Sequence, residues 1–146
     1  MIEAFLRRLL APAPEKLTTP DAQLAMAALL VRIARTDGLY AVEEVERIDR
    51  VLCATYQLDA FEAAKLRAEA EALEAEAPDT VRFTRALKDA TEPEEREGLM
   101  QALWSVALAD GSRDAEEDQL LRMVASLLGI SDVQSAEARQ RAGRSL

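Results

Sequence analysis

"ARTDGLYAVEE" (residues 34–44) and "ALADGSRDAEE" (residues 107–117) say nearly the same thing at two places in one chain. In each, an apolar segment runs into Asp-Gly, and a pair of glutamates follows. Glycine is a good left-handed terminator of a helix. Paired acids suit the first turn of a new helix, where the backbone dipole is positive. Each stretch therefore reads as the end of one helix, a short loop and the start of the next. Asp37 and Asp110 stand 73 positions apart (110 − 37). The same offset lays Leu30 on Leu103, Ile33 on Val106, Ala34 on Ala107, Gly38 on Gly111, Ile48 on Leu121 and Val51 on Val124. It also lays Glu43 on Glu116 and Glu44 on Glu117. Core-type positions match as well as the loop, so the sequence predicts one helix–loop–helix unit used twice.

Working outward from the two units, every apolar period is helical. Ile2, Phe5, Leu6, Leu9 and Leu10 share one stripe, which predicts a short N-terminal helix docked on the core rather than on a membrane surface. "APAPEKL" follows as an extended linker, because each proline disfavours helix in the residue before it. Thr19 as cap and Pro20 at the first helical position open the next helix, which ends at Gly38. A second runs from about Val42 to Tyr56 with Val45, Ile48, Val51, Leu52 and Thr55 inward. Asp59 caps an alanine-rich helix that Pro78 stops. A shorter helix places Val81, Phe83 or Thr84, and Leu87 inward. Pro93 starts the helix that ends at Gly111. Asp114 and Glu117 form a capping box for the next, whose apolar face is Leu120, Leu121, Val124, Leu127 and Leu128. Gly129 ends it, and Ser131 with Gln134 gives another box-like start. No run alternates with period two. The expected fold is all-α, a single compact helical domain of about seven to eight helices with an internal duplication. Residues 1–18 would be the short helix and linker, and residues 19–146 the domain.

Composition narrows the function. The 146 residues are 49% hydrophobic, enough for a packed core, and carry a net charge of −9. That charge argues against nucleic acid as a partner, since phosphate binding needs clustered Lys and Arg. It allows cations or protein surfaces. Cys53 is alone, which fits a reducing compartment. The start is too short for a secretory leader, and no apolar run approaches membrane-spanning length. A soluble cytoplasmic protein is the expectation. The chain has no histidine, and no glycine-rich loop or oxyanion-hole motif is legible, so an enzyme is not expected.

The acids of the two loops leave two readings open. Asp37 at a helix C-terminus faces the negative end of the dipole, at a cost of roughly 0.3–1 kcal/mol. The side chain would recover this by capping the following helix, with Glu43 and Glu44 as ordinary first-turn acids. Alternatively, Asp37 and Glu44 point into one space, with Asp110 and Glu117 facing them from the second unit. Four gathered carboxylates repel, and a hard divalent cation would relieve that. The first loop is not an EF-hand, because Gly38, Leu39, Tyr40 and Ala41 replace its alternating ligands. Zinc and copper fit poorly without His or a Cys pair.

The paired "DG…EE" units, with alanine shortly before Asp-Gly and an aliphatic residue four past the second Glu, resemble the tellurite-resistance TerB family. A related domain occurs in the DnaJ-like protein DjlA. The resemblance covers roughly residues 20 to 140. It implies an all-α fold of about seven helices and a metal site at Asp37, Glu44, Asp110 and Glu117, with Glu43, Asp114 and Glu116 as weaker candidates. The cation implied is Ca²⁺ or Mg²⁺. The family also implies a role in cytoplasmic stress response, through protein partners or a membrane-associated complex. Thr36 and Ala41 depart from the family pattern in the first loop. Tellurite itself is an oxyanion that a carboxylate-lined site would repel, so any resistance role would be indirect.

Three further features have plain readings. Cys53 reads as a half-buried structural thiol. Trp104 reads as core. "EAEALEAEAPD" reads as a solvated face.

Overall fold

The computed structural model describes residues 3, 5–7, 19–36, 38–76, 80–109 and 115–144, with the backbone alone at positions 19, 20, 115 and 116. The helices are α1 (Thr19–Arg35), α2 (Val42–Tyr56), α3 (Ala60–Glu76), α4 (Thr80–Asp89), α5 (Pro93–Ala107), α6 (Ala115–Leu128) and α7 (Asp132–Arg144). Glu3 and residues 5–7 are helical as well. Among the described residues no strand occurs, and the all-α expectation is met. No helix is long and apolar enough to cross a membrane.

α1 is the axis of the fold. Every residue from Ala25 to Val31 is buried, followed by Ile33 and Ala34. A helix apolar on all sides must be covered on all sides, and α2, α3, α4, α5 and α6 each pack against it. α5 is the second central helix and also carries α7, its most extensive neighbour. Leu99, Met100, Ala102, Leu103, Trp104, Val106 and Ala107 are its buried residues. Each stands 73 positions after a buried residue of α1, from Met26 to Ala34. The buried residues of α2, namely Glu44, Ile48 and Leu52, have buried counterparts at Glu117, Leu121 and Ala125. Both α2 and α6 pack on both α1 and α5.

The helix ends follow local chemistry. Asp59 Oδ1 accepts from Glu62 N at 2.7 Å while Asp59 N donates to Glu62 Oε1 at 3.1 Å, a complete capping box. Ser131 and Gln134 form the same reciprocal pair. At the end of α4, Arg96 donates to the carbonyls of Lys88 and Thr91 at 2.9 and 2.8 Å. This satisfies acceptors that the helix leaves unpaired. The cap expected at Thr19 and the Asp114 arm of the α6 box fall outside the described side chains.

Phe5 is buried and stacks on Phe83, with ring centroids 6.4 Å apart. The N-terminal segment thus places its aromatic side chain on the core. Phe83 and Thr84 are both buried, so the alternative between them resolves to both. Trp104 is buried, as expected of a core residue, and its indole N–H donates to Ser135 Oγ at 3.1 Å. Cys53 is half-buried, as its plain reading has it. Two expectations fail. Thr55 is exposed: it lies in the last turn of α2 and lines a groove shared with α5 and α7. The acidic run of α3 is not simply a solvated face, because Glu74 forms ion pairs with α1 and Glu71 accepts a hydrogen bond from the loop, described below.

Candidate metal centre

The first loop is held from outside by a polar network. α1 ends as Gly38 N donates to Arg35 O at 3.0 Å, and Gly38 takes φ +81°. That conformation suits a residue without Cβ. Thr36 Oγ1 donates to Arg32 O at 2.8 Å. Tyr40 leaves the loop to donate its hydroxyl to Glu71 Oε2 at 2.6 Å, and the Arg35 guanidinium lies 5.0 Å from its ring centroid. Arg35 pairs with Glu74 at 2.8 Å, Arg32 with the same carboxylate at 3.3 Å, and Arg67 with Asp49 at 2.6 Å and Glu71 at 3.2 Å. The chain of bonds joins α1, the loop, α2 and α3. Burial and the Glu71 carboxylate both raise the Tyr40 phenol above its ordinary range. The hydrogen bond that Arg67 Nε donates to the Asp49 carboxylate raises the guanidinium pKa.

Past the loop, α2 begins at Val42 with Ala41 as its cap residue in an extended conformation. A methyl group accepts no hydrogen bond, so only one arm of a capping box forms. Glu44 Oε1 reaches back to accept from Ala41 N at 3.1 Å. Glu44 is nevertheless 0% exposed. Capping alone does not demand this: Glu62 and Glu95 fill the same third position of α3 and α5, accept from Asp59 N and Glu92 N, and are exposed. Glu117, the counterpart of Glu44 in the second unit, is 2% exposed. Two carboxylates at matching positions of α2 and α6 are thus withdrawn from water. Burying a charged group is costly unless partners or an ion compensate.

The remaining candidates divide as follows. Glu43 is exposed on α2. Asp37, Asp110 and Asp114 lie outside the described residues, as does the side chain of Glu116. The expected approach of the two loops therefore rests on residues beyond the described set. Among the described residues, no three Asp, Glu or Cys side chains gather at metal-holding distance. The donor set, where it is described, is carboxylate oxygen. That suits a hard divalent cation such as Ca²⁺ or Mg²⁺ and not zinc or copper.

Sequence reading missed the outer network. Tyr40, Glu71 and Glu74 carried no motif. Two arginines near the end of α1 meet Glu74, and Tyr40 of the loop meets Glu71, across the fold from α3, and no local pattern links them.

No curated protein and no solved structure matches the chain at a significant level. The family model described as "Tellurite resistance protein TerB" matches residues 23–140, from the second turn of α1 into α7. A match over most of the chain's length, on an all-α fold, settles the family: this chain belongs to the TerB family of tellurite resistance proteins.

Proposed function

We propose that this protein is a non-enzymatic TerB-like module that binds a divalent cation, Ca²⁺ or Mg²⁺, and serves a cytoplasmic stress response. The cation would be held by Asp37, Glu44, Asp110 and Glu117, with Glu43, Asp114 and Glu116 in support. The two helix–loop–helix units are, on this reading, duplicates that each contribute acids. The observation that carries the proposal is the burial of Glu44 and Glu117 at matching positions, where the capping glutamates of α3 and α5 stay in water. A bound cation would neutralise carboxylates that otherwise repel, and it would tie both loops to the folded state. Calorimetric titration of chelator-stripped protein with CaCl₂ and MgCl₂ tests it, with Asp37→Asn/Asp110→Asn as control. Saturable heat in the parent and none in the double variant supports the site. No divalent-specific heat in the parent removes it.

A second reading has its own observation. The Glu44 carboxylate bonds to Ala41 N, so the acids also serve as caps. The protein would then be a helical interaction module, with an acidic face turned to protein partners in a membrane-associated complex. A titration that shows no cation binding, with loss of stability in Glu44→Ala, favours it.

A further inference from the structure

A groove of about 400 Å³ runs between α2, α5 and α7, within the range of small-molecule sites. Its charge is opposite to that of the molecule. The chain carries 27 acidic and 18 basic residues, yet no Asp or Glu lines this groove among the described residues, whereas Arg47 and Arg50 do. The two arginines are one turn apart on α2, so their side chains are neighbours. Among the described residues neither forms an ion pair. Arg47 donates to Ser105 O at 3.2 Å and to Ser105 Oγ at 3.1 Å, both neutral acceptors. Burial and the like charge of Arg50 both lower the Arg47 pKa. Two guanidinium groups without a carboxylate, in a chain rich in carboxylates, are a charge arrangement that an anion completes.

The rest of the lining says what kind of anion. Thr55 and Ser105 bring hydroxyl groups, which add to the arginine fork as oxyanion donors. Val51 and Ala102 supply an apolar floor, which a bare ion does not need and an organic body does. Gly98 leaves the groove wall open, with nothing within 4 Å of where a Cβ would sit. We propose that this groove binds a phosphate monoester, with the phosphate on Arg47 and Arg50 and a compact apolar group on the floor between α2 and α5. Among the described residues no acid of the two loops lines the groove, and the proposal does not depend on the cation proposal.

The test uses the full chain in chelator-treated buffer, so that no divalent cation bridges phosphate to the acids. The soluble probes are phenyl phosphate and inorganic phosphate, measured by calorimetry. A third arm is sedimentation with phosphatidylcholine vesicles, with and without phosphatidic acid. Phenyl phosphate should bind more tightly than inorganic phosphate. Arg50→Gln should weaken it about tenfold, the scale of one charge-assisted hydrogen bond. Arg50 holds no bond within the described fold, so this variant should fold normally, and Arg50→Lys should retain part of the affinity. Arg85→Gln, an exposed arginine of α4, should change nothing. Gly98→Leu should abolish the advantage of the phenyl group and leave inorganic phosphate binding intact. Sedimentation that requires phosphatidic acid and is lost in Arg50→Gln identifies a lipid headgroup as the source. Soluble binding without sedimentation identifies a free metabolite. Absence of binding by every probe, or binding indifferent to Arg50→Gln, overturns the proposal.

Discussion

Replacing Glu44 with glutamine separates the two roles that its carboxylate can play. The amide oxygen of the new side chain still accepts from Ala41 N, so the cap bond at 3.1 Å survives and the loss of about 0.5–2 kcal/mol that follows removal of a cap is avoided. What disappears is one negative charge at a fully buried position. In the parent protein, a cation at about 100 times its Kd stabilises the folded state by about 2.7 kcal/mol. With about 2.1 cal/mol/K of unfolding entropy per residue over 146 residues, the chain gains or loses roughly 0.3 kcal/mol per degree. The melting temperature should therefore rise by about 9 °C on saturation. If loss of one carboxylate weakens binding about tenfold, the same cation concentration gives only about 1.4 kcal/mol, a rise of roughly 4–5 °C. The cation-free variant should melt at or slightly above the parent, since a repelling charge is gone. The assay is circular dichroism melting in Ca²⁺ or Mg²⁺ against NaCl of equal ionic strength, because salt alone stabilises an acidic protein by screening. A parent whose melting temperature is the same in divalent and matched monovalent salt refutes the reasoning. So does a Glu44→Gln protein that keeps the whole divalent-specific rise.

Alkaline pH should unfold the protein through its tyrosines. Burial, assisted by Glu95, pushes the Tyr56 phenol up to about 12, and Tyr40 is raised as well. A raised folded-state pKa means that the folded state holds protons the unfolded state releases, so stability is full below the ordinary tyrosine pKa of about 10 and falls as pH rises beyond it. Urea unfolding at a series of pH values should show that fall. Tyr40→Phe should flatten it and should cost about 1 kcal/mol at neutral pH by losing the bond to Glu71. Leu103→Ala, at a fully buried position of α5, should cost about 2–5 kcal/mol in the same assay. Trp104 is the chain's one tryptophan and offers the fluorescence readout. Gly38→Ala should cost about 1 kcal/mol, because φ is +81° while nothing lies within 4 Å of the added Cβ. A neutral effect there would mean that the loop relaxes freely.

What the sequence by itself determined is what depends on neighbours along the chain. Helix identity follows from apolar spacing over a few turns, so every described helix was legible. Caps span three residues, so the Asp59 cap and the Ser131–Gln134 box were readable in the sequence, whereas the return bond of Asp59 N to Glu62 was found in the structure. The offset of 73 was visible as letters, and the burial of α5 residue by residue behind α1 follows the same register. At the candidate site, the position of Glu44 and Glu117 was legible but their burial was not. The same letter at the same helix position is exposed in Glu62 and Glu95, because exposure is set by which helices pack over that turn. The tertiary structure alone decided the rest. It enclosed α1 on every side. It drew Glu74 out of an apparently solvated run, because Arg32 and Arg35 arrive from some forty residues away, and Glu71 with it, because Tyr40 reaches it from 31 positions away. It also set Arg47 against Ser105, 58 positions distant, and closed with α7 a groove that no Asp or Glu lines among the described residues. No local period encodes such meetings: they arise when amphipathic faces, each specified locally, are forced to share one core.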